Sequence, residues 1–338
     1  TIVAVDAGGE PTGPLSLYND RAEPGDVAAV AGVMPADSAA GGVTSPLARA
    51  LGLRRTGAAH ILHEADWIAG RLGAGFAVTD ANNALKTGYD PRLTAWPDWI
   101  GAILPVATLP HVVEPGNALG LIGSAAAALG LPPDAIIVAG TTDGCASFLA
   151  TGAQHTGDGV TALGSTLTLK LLSDVPIFAP EMGIYSHRLL GRWLAGGASN
   201  TGGAALACFF APEVLAALSA RIDPLRPTGL DYYPLPGRGE RFPVNDPALL
   251  SRAEPRPGDD VAFLHGLLEG IAAVEALGYR RLRELGGPAL RRVLTVGGGA
   301  GNAAWTVLRK RALGVAVETV PGREAAFGTA LLARAALR

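Results

Sequence analysis

Residues 138–170 read VAGTTDGCASFLATGAQHTGDGVTALGSTLTLK, and this stretch decides the fold. A β-rich run ends in the small-residue turn at 140–142, where Asp143 opens a predicted Ala-rich helix. A second β-rich run ends in Gly164, Ser165 and Thr166. Small residues let backbone N–H groups approach phosphate oxygens closely, and a helix N-terminus favours negative charge. The stretch therefore predicts two phosphate-type loops on either side of one carboxylate.

That carboxylate, Asp143, is the candidate catalytic residue. Phosphoryl transfer to an alcohol needs a base for the hydroxyl proton while the phosphates are held in line. An Asp after Gly-Thr-Thr is also a common helix cap, so capping is the alternative interpretation. The pairing with Gly164, Ser165 and Thr166 after one helix and one returning strand favours catalysis. We predict a kinase that acts on a small hydroxylated molecule.

Composition restricts the other classes of function. With 338 residues the chain can hold about two domains, and 49% apolar against 17% charged residues indicates a globular protein. A net charge of −3 without a Lys/Arg cluster argues against nucleic acid as a partner. No run approaches the roughly 20 uninterrupted apolar residues of a membrane span. The oligomeric state stays open, a homodimer included.

The cysteine count predicts the compartment. Cys145 and Cys208 are the 2 cysteines of the chain, and both are expected to be buried reduced thiols. A disulfide framework or a zinc site would need more Cys and His at close spacing. The sequence therefore predicts a cytoplasmic protein without a metal-ligand cluster.

The order of the elements predicts mixed α/β layers. The Pro132-Pro133-Asp134 break separates a first domain, 1–134, from a second, 135–338. We predict strand pairs over 160–172 and 184–195, a strand over 292–296, and helices over 118–129 and 260–285.

The run from Thr295 to Trp305 contains a strand, a glycine turn and a helix start. It resembles a dinucleotide fingerprint, with Glu318 in the place of the ribose-binding acid, and a dehydrogenase is the alternative. The last position of G-x-G-x-x-G is Asn302, however, and no βαβ repeat surrounds the run. We interpret it as an adenosine shelf on which Gly298 and Gly299 offer flat backbone, Asn302 an amide and Trp305 a ring face.

Two turns near the start carry acidic residues. Asn19 and Asp20 close the first predicted hairpin, either as a solvated turn or as acceptors for pairs of sugar hydroxyls. The run Asp6-Ala7-Gly8-Gly9 lacks the Ser or Thr that would grip a phosphate, so we predict a hairpin turn there.

The ordered set of motifs resembles the FGGY carbohydrate kinases of the sugar kinase, chaperone and actin superfamily, in their short xylulokinase-like or D-ribulokinase-like branch. The resemblance covers essentially every residue, and the set is specific although each motif is weak. Besides the residues above it includes residues 18–22, 80–90, 96–99, 139–153, 163–166, 196–203, 233–237, 240–243, 297–299 and 324–326.

The resemblance implies a two-domain actin-like ATPase (ribonuclease H-like) fold that closes on ATP, Mg²⁺ and an open-chain polyol or ketose. Residues 1–134 would be the remainder of the sugar-binding domain, and residues 135–338 the nucleotide-binding domain. It also implies roles for single residues: Asp143 as the base, Gly164, Ser165 and Thr166 at the phosphates, Gly298, Gly299, Asn302 and Trp305 at the adenine, and Asn19 and Asp20 at the sugar.

One departure from the family pattern concerns its first phosphate loop. That loop, a strand followed by Asp-x-Gly-Thr, has no counterpart ahead of Thr1. Either the sequence is a fragment of a longer protein, which we expect, or the protein is a natural truncation. The predicted function is an ATP-dependent kinase for the terminal hydroxyl of a ketopentose such as D-ribulose or D-xylulose. The alternatives are an actin-like or chaperone-like ATP-binding protein without a sugar, and an inactive scaffold.

Overall fold

The computed structural model describes residues 1–320 and 324–337. The chain forms two compact units: unit 1 comprises residues 1–149, 187–191 and 325–338, and unit 2 comprises residues 150–186 and 192–324. The predicted boundary after Asp134 lies N-terminal to this division, and the domain limits stay a prediction.

The strands are β1 (Ile2–Val5), β2 (His60–His63), β3 (Val78–Asp80), β4 (His111–Val113), β5 (Ala118–Leu121), β6 (Ile136–Val138), β7 (Asp158–Leu163), β8 (Leu167–Ser173), β9 (Tyr185–Leu189), β10 (Arg192–Ser199), β11 (Arg292–Val296) and β12 (Ala316–Thr319). The α-helices are α1 (Pro24–Val33), α2 (Pro46–Arg54), α3 (Glu64–Ala69), α4 (Ala81–Leu85), α5 (Ser124–Ala128), α6 (Asp143–Ala150), α7 (Gly203–Ala207), α8 (Pro212–Ser219), α9 (Asp260–Glu284), α10 (Ala303–Leu313) and α11 (Ala325–Ala335).

A six-stranded sheet has the order β12-β11-β7-β8-β10-β9. Strands β7, β8 and β10 are antiparallel neighbours, whereas β11 runs parallel to both β7 and β12. These elements confirm the strand pairs predicted at 160–172 and 184–195 and the strand at 292–296. Because β7 and β11 are parallel, their carboxyl ends meet at one edge of the sheet. The two glycine turns that follow these strands therefore lie at the same edge.

Helix α9 packs against this sheet in unit 2. Asp259 caps it by accepting a hydrogen bond from the N–H of Val261, and the apolar residues at three- and four-residue spacing form its buried face. This confirms the helix predicted at 260–285. Its buried apolar side chains include Leu264, Leu267, Ile271 and Val274.

The sequence predicts no membrane span, but one helix of the described residues, α9, is long and apolar enough to cross a membrane by length and composition. Most of it, 72% of its apolar window, is buried inside the structure. Such burial is what the core helix of a compact unit shows, and its apolar character is accounted for by packing.

Unit 1 contains three two-stranded sheets, β1-β2, β3-β4 and β5-β6. The predicted first hairpin is present, since Ile2 bridges Ser16. The Asp6 carboxylate accepts hydrogen bonds from the N–H groups of Gly8 and Glu10 and so closes the predicted hairpin turn.

Two sequence predictions in this part of the analysis are wrong. The helix predicted over 118–129 is instead strand β5 followed by the short helix α5. Gly120, at φ 133°, cannot continue a helix, and the residues around it pair with β6. Cys145 is buried as predicted, whereas Cys208 is exposed because it lies in the turn after α7.

Candidate active site

A cavity of about 680 Å³ lies within unit 2, among the glycine turns and helices α7 to α10. One wall is Gly164 and Ser165, after β7, and the opposite wall is Gly298 and Gly299, after β11. The remaining walls include apolar side chains of α8 and α9. Cavities of several hundred Å³ with apolar walls and a few polar groups are typical ligand sites. The volume suits a nucleotide.

In the turn between β7 and β8, the carbonyl groups of Gly164 and Ser165 accept backbone hydrogen bonds. The N–H of Gly203 donates to the Gly164 carbonyl at 2.8 Å, and that of Ala204 donates to the Ser165 carbonyl at 3.0 Å. The N–H groups of Ser165 and Thr166 form no hydrogen bond with any residue in the described part of the chain. Consecutive unpaired amides of this kind bind anions. The turn is therefore able to donate to phosphate oxygens, although Thr166 is outside the cavity wall.

The second turn abuts the first. Gly297 has φ 91°, and a Cβ there would lie 2.6 Å from the carbonyl oxygen of Leu163. Gly298 faces open space, whereas a Cβ on Gly299 would lie 2.7 Å from the ring of Trp305. The Trp305 ring is 3% exposed, so it supports the glycine turn from beneath, and contact with an adenine stays a prediction.

Asn302 holds its side chain in one orientation. Its Oδ1 caps α10 by accepting the N–H of Trp305 at 3.0 Å, and its Nδ2 donates to Ser219 Oγ at 2.9 Å. One amide hydrogen remains for a ligand. Sequence analysis missed Ser219, which lies 83 residues away along the chain and has no motif of its own.

Asp143 is the first residue of α6 in unit 1, and it is exposed. Its Oδ1 accepts the N–H of Gly144 at 2.6 Å. The N–H groups of Cys145 and Ala146 both donate to the Thr142 carbonyl, each at 3.0 Å, so Thr142 is the residue at the cap position. Asp143 thus follows the cap residue, and its exposed carboxylate binds one N–H of the first helical turn while remaining accessible to a ligand.

Asn82 anchors the turn that precedes Asp143. Its Nδ2 donates to Thr141 Oγ1 at 2.9 Å and to the Arg188 carbonyl at 2.6 Å, and its Oδ1 accepts the Arg188 N–H at 2.8 Å. Asn82 is 1% exposed and is the second residue of α4, which Asp80 caps. Burial raises the pKa of Asp80 to about 6 against these hydrogen bonds. The motif at 80–90 pointed to this region, but no sequence signal assigned Asn82 its partner.

Asn19 and Asp20 are exposed, also in unit 1. Asp20 Oδ2 accepts the N–H of Leu17 at 2.7 Å, which fixes its own turn. Contact of either side chain with a sugar stays a prediction.

Within residues 1–320 and 324–337, no three His, Cys, Asp or Glu side chains are grouped to hold a metal ion. A magnesium ion that arrives with a nucleotide takes most of its ligands from phosphates and water.

Solved structures share this fold over nearly the whole chain. A xyloylose kinase from Brucella ovis matches with TM-score 0.84 and 22% identity, over 99% of this chain and 73% of that one. A xylulose kinase from Rhodospirillum rubrum matches with TM-score 0.82 and 24% identity, over 98% and 72%. A Plasmodium falciparum glycerol kinase with ADP matches with TM-score 0.84 and 15% identity, over 100% and 73%. The chain thus has the actin-like ATPase fold of these kinases, as predicted.

Residues 135–337 also match the profile of the C-terminal domain of the FGGY family of carbohydrate kinases. This match includes both glycine turns, the cavity between them and Asp143. The chain belongs to the FGGY family of carbohydrate kinases.

Proposed function

We propose that this carbohydrate kinase transfers the γ-phosphoryl group of ATP to the terminal hydroxyl of a ketopentose such as D-ribulose or D-xylulose. The observation that carries the proposal is the 680 Å³ cavity of unit 2, bounded by two glycine turns at the ends of parallel strands. The names of the neighbouring kinases include xylulose, gluconate and glycerol. We favour a ketopentose because the motifs resemble the xylulokinase-like and D-ribulokinase-like branch.

On the nucleotide side, the N–H groups of Ser165 and Thr166 donate to phosphate oxygens. Gly298 and Gly299 lie against the adenine, and the Asn302 amide that Ser219 orients donates to the purine edge. Oriented donors of this kind stabilise the charge that develops during phosphoryl transfer, so positioning and electrostatics supply most of the rate. ATP supplies the transferred group, with Mg²⁺ on its phosphates.

On the sugar side, Asp143 accepts the proton of the attacking hydroxyl as the bond from this oxygen to the γ-phosphorus forms, while the bond from the γ-phosphorus to the bridging oxygen breaks and ADP leaves. Asn19 and Asp20 accept hydrogen bonds from other hydroxyls of the sugar. The neutral terminal hydroxyl is a poor nucleophile, and proton removal by a carboxylate within hydrogen-bond reach is the step that this chain has to provide.

The experiment that tests the proposal is a measurement of ADP release with a panel of sugars. We expect ADP release to rise with D-ribulose or D-xylulose and to stay near the blank without sugar, with glycerol or with gluconate. Equal ADP release with and without sugars would identify an ATPase instead. ATP binding without any turnover would identify an inactive scaffold, and both outcomes contradict the proposed function.

Gly298→Val is expected to weaken ATP binding roughly tenfold or more, because its side chain would enter the cavity from a position that now faces open space. Isothermal titration calorimetry with ATP measures the change. The control is Gly258→Val, since Gly258 also has no neighbour within 4 Å of an added Cβ and is outside the cavity walls. Equal ATP affinity of the Gly298→Val variant and the parent would place the nucleotide elsewhere.

Asn82→Ala is expected to lower kcat roughly tenfold with KM for ATP unchanged, since the turn at 141–143 loses its anchor and Asp143 loses its alignment. The matched control is Asn83→Ala. It removes a carboxamide from the same helix, but this carboxamide donates its hydrogen bond to Asp80 and not to the turn at 141–143. Similar kcat values for the two variants would contradict the anchoring role.

A further inference from the structure

We propose that Glu240 is a positioning residue for nucleotide phosphates, acting through the segment 199–204 on the turn that presents the N–H groups of Ser165 and Thr166. This inference rests on the proposed function, because it assigns the support of the same phosphate turn. Glu240 belongs to the motif 240–243, which is part of the family resemblance.

Glu240 is a buried carboxylate, 2% exposed. Its Oε1 accepts the N–H groups of Asn200 at 2.7 Å, Arg241 at 2.9 Å and Phe242 at 3.5 Å. Its Oε2 accepts hydrogen bonds from the Ser199 hydroxyl at 2.5 Å and the Tyr233 hydroxyl at 3.0 Å. All five donors are neutral. Burying an ionised carboxylate among neutral donors is unfavourable unless the donors stay in place, so the carboxylate fixes the segment that carries two of them.

The phenol of Tyr233 remains protonated beside this carboxylate. Burial, together with the negative charge of Glu240, raises the pKa of Tyr233. The Tyr233 hydroxyl therefore keeps its proton and donates it to Glu240.

From Ser199 the hydrogen bonds continue along the segment. Ser199 Oγ accepts the N–H of Thr201 at 3.1 Å, and Thr201 Oγ1 donates to the Pro234 carbonyl at 2.6 Å. The Thr201 carbonyl in turn accepts the N–H of Leu167 at 2.8 Å, at the start of β8. The carboxylate thus holds the segment at one end, and the segment holds the strand that leaves the phosphate turn.

The segment 199–204 packs directly against the turn at 164–166, which we call the phosphate turn. A Cβ on Gly202 would lie 2.9 Å from the carbonyl carbon of Thr166, and one on Gly203 would lie 2.9 Å from the Gly164 carbonyl oxygen. The N–H groups of Gly203 and Ala204 donate to the two carbonyls of the turn. Because a trans peptide directs its C=O and N–H groups to opposite sides, the N–H groups of Ser165 and Thr166 point away from the segment. Loss of the Glu240 charge would release this orientation.

The first test compares ATP and ADP, which carry phosphates, with adenosine, which carries none. We expect Glu240→Gln to weaken ATP and ADP binding roughly tenfold, as for loss of one to two well-placed hydrogen bonds, and to leave adenosine binding unchanged because the adenine shelf has other supports. Tyr233→Phe removes one donor and should shift ATP affinity in the same direction by less. The control is Glu269→Gln, whose carboxylate binds Thr228 in the same unit. Equal losses for ATP and adenosine would overturn the inference.

The second test uses the free protein and does not need a ligand. Hydrogen exchange of the Gly203 and Ala204 amides should accelerate about tenfold or more in Glu240→Gln, while the Asn302 amide, in the other turn, keeps its rate. Unchanged exchange at both positions would overturn the inference. Should the parent chain fail to bind ATP, the proposed function fails, and the exchange rates still decide whether Glu240 holds the turn.

Discussion

Asp143→Asn is expected to lower the rate of sugar phosphorylation ~10²-fold or more and to leave ATP affinity nearly unchanged. The amide keeps the size of the carboxylate but does not accept a proton from the attacking hydroxyl. Asp143 is not among the residues that line the cavity, so we expect nucleotide binding to change little when this charge is removed. Steady-state ADP release gives kcat, and calorimetry with ATP gives the affinity.

Two further variants make this result interpretable. Asn-Gly sequences deamidate to Asp, so Asp143→Ala should be assayed beside Asp143→Asn to exclude regenerated carboxylate. Asp134→Asn, which changes an exposed carboxylate of unit 1 away from the turn, should keep the parent rate. Retained turnover in Asp143→Ala would rule out Asp143 as the base.

Arg309→Ala is expected to lower the free energy of unfolding by about 3–5 kcal/mol, because it leaves the buried carboxylate of Glu275 without its partner. Arg309 is 0% and Glu275 1% exposed at the side chain. The guanidinium donates to both Glu275 oxygens, at 2.6 and 2.7 Å, and to Thr295 Oγ1 at 2.8 Å. Thr161 Oγ1 donates to the same carboxylate at 2.6 Å. Urea unfolding monitored by circular dichroism measures the loss.

The double variant Arg309→Met/Glu275→Leu separates charge from packing. Replacing both partners with apolar side chains removes the unpaired charge, so most of the lost stability should return. Asp231→Asn is the control for an exposed ion pair, that of Asp231 with Arg252, and should change stability little. A single Arg309→Ala loss below about 1 kcal/mol would contradict the assignment of a stabilising buried pair.

Local patterns in the sequence predicted the elements around the cavity of unit 2. The β-rich runs before Gly164 and Gly297 predicted β7 and β11, because buried strands carry their signal in a few consecutive residues. The helix start predicted within the run from Thr295 to Trp305 is the start of α10 at Ala303, which Asn302 caps. The helix predicted over 118–129 was wrong because its alanines and leucines outweighed Gly120, whose backbone requires another conformation.

The contacts that position the site could not be predicted from the sequence. Asn82 with Thr141, Ser219 with Asn302, and Glu240 with Ser199 each join residues 41 or more positions apart. No periodicity or spacing specifies such pairs, since they depend on how the elements fold together. Glu275 and Arg309 lie within helices whose sequence pattern is dominated by apolar residues. That pattern did not predict that these two charged side chains are buried.

The contact between Gly297 and the backbone of Leu163 has a consequence for engineering. The cavity cannot be widened at that contact by a substitution in either glycine turn. The distance there is set by the separation of neighbouring strands and leaves no space for a side chain. Mutant libraries that aim at a different purine or a bulkier base analogue should therefore vary the helical side, at Leu215, Ala216 and Ser219. Randomising the glycines would destroy the groove instead of reshaping it.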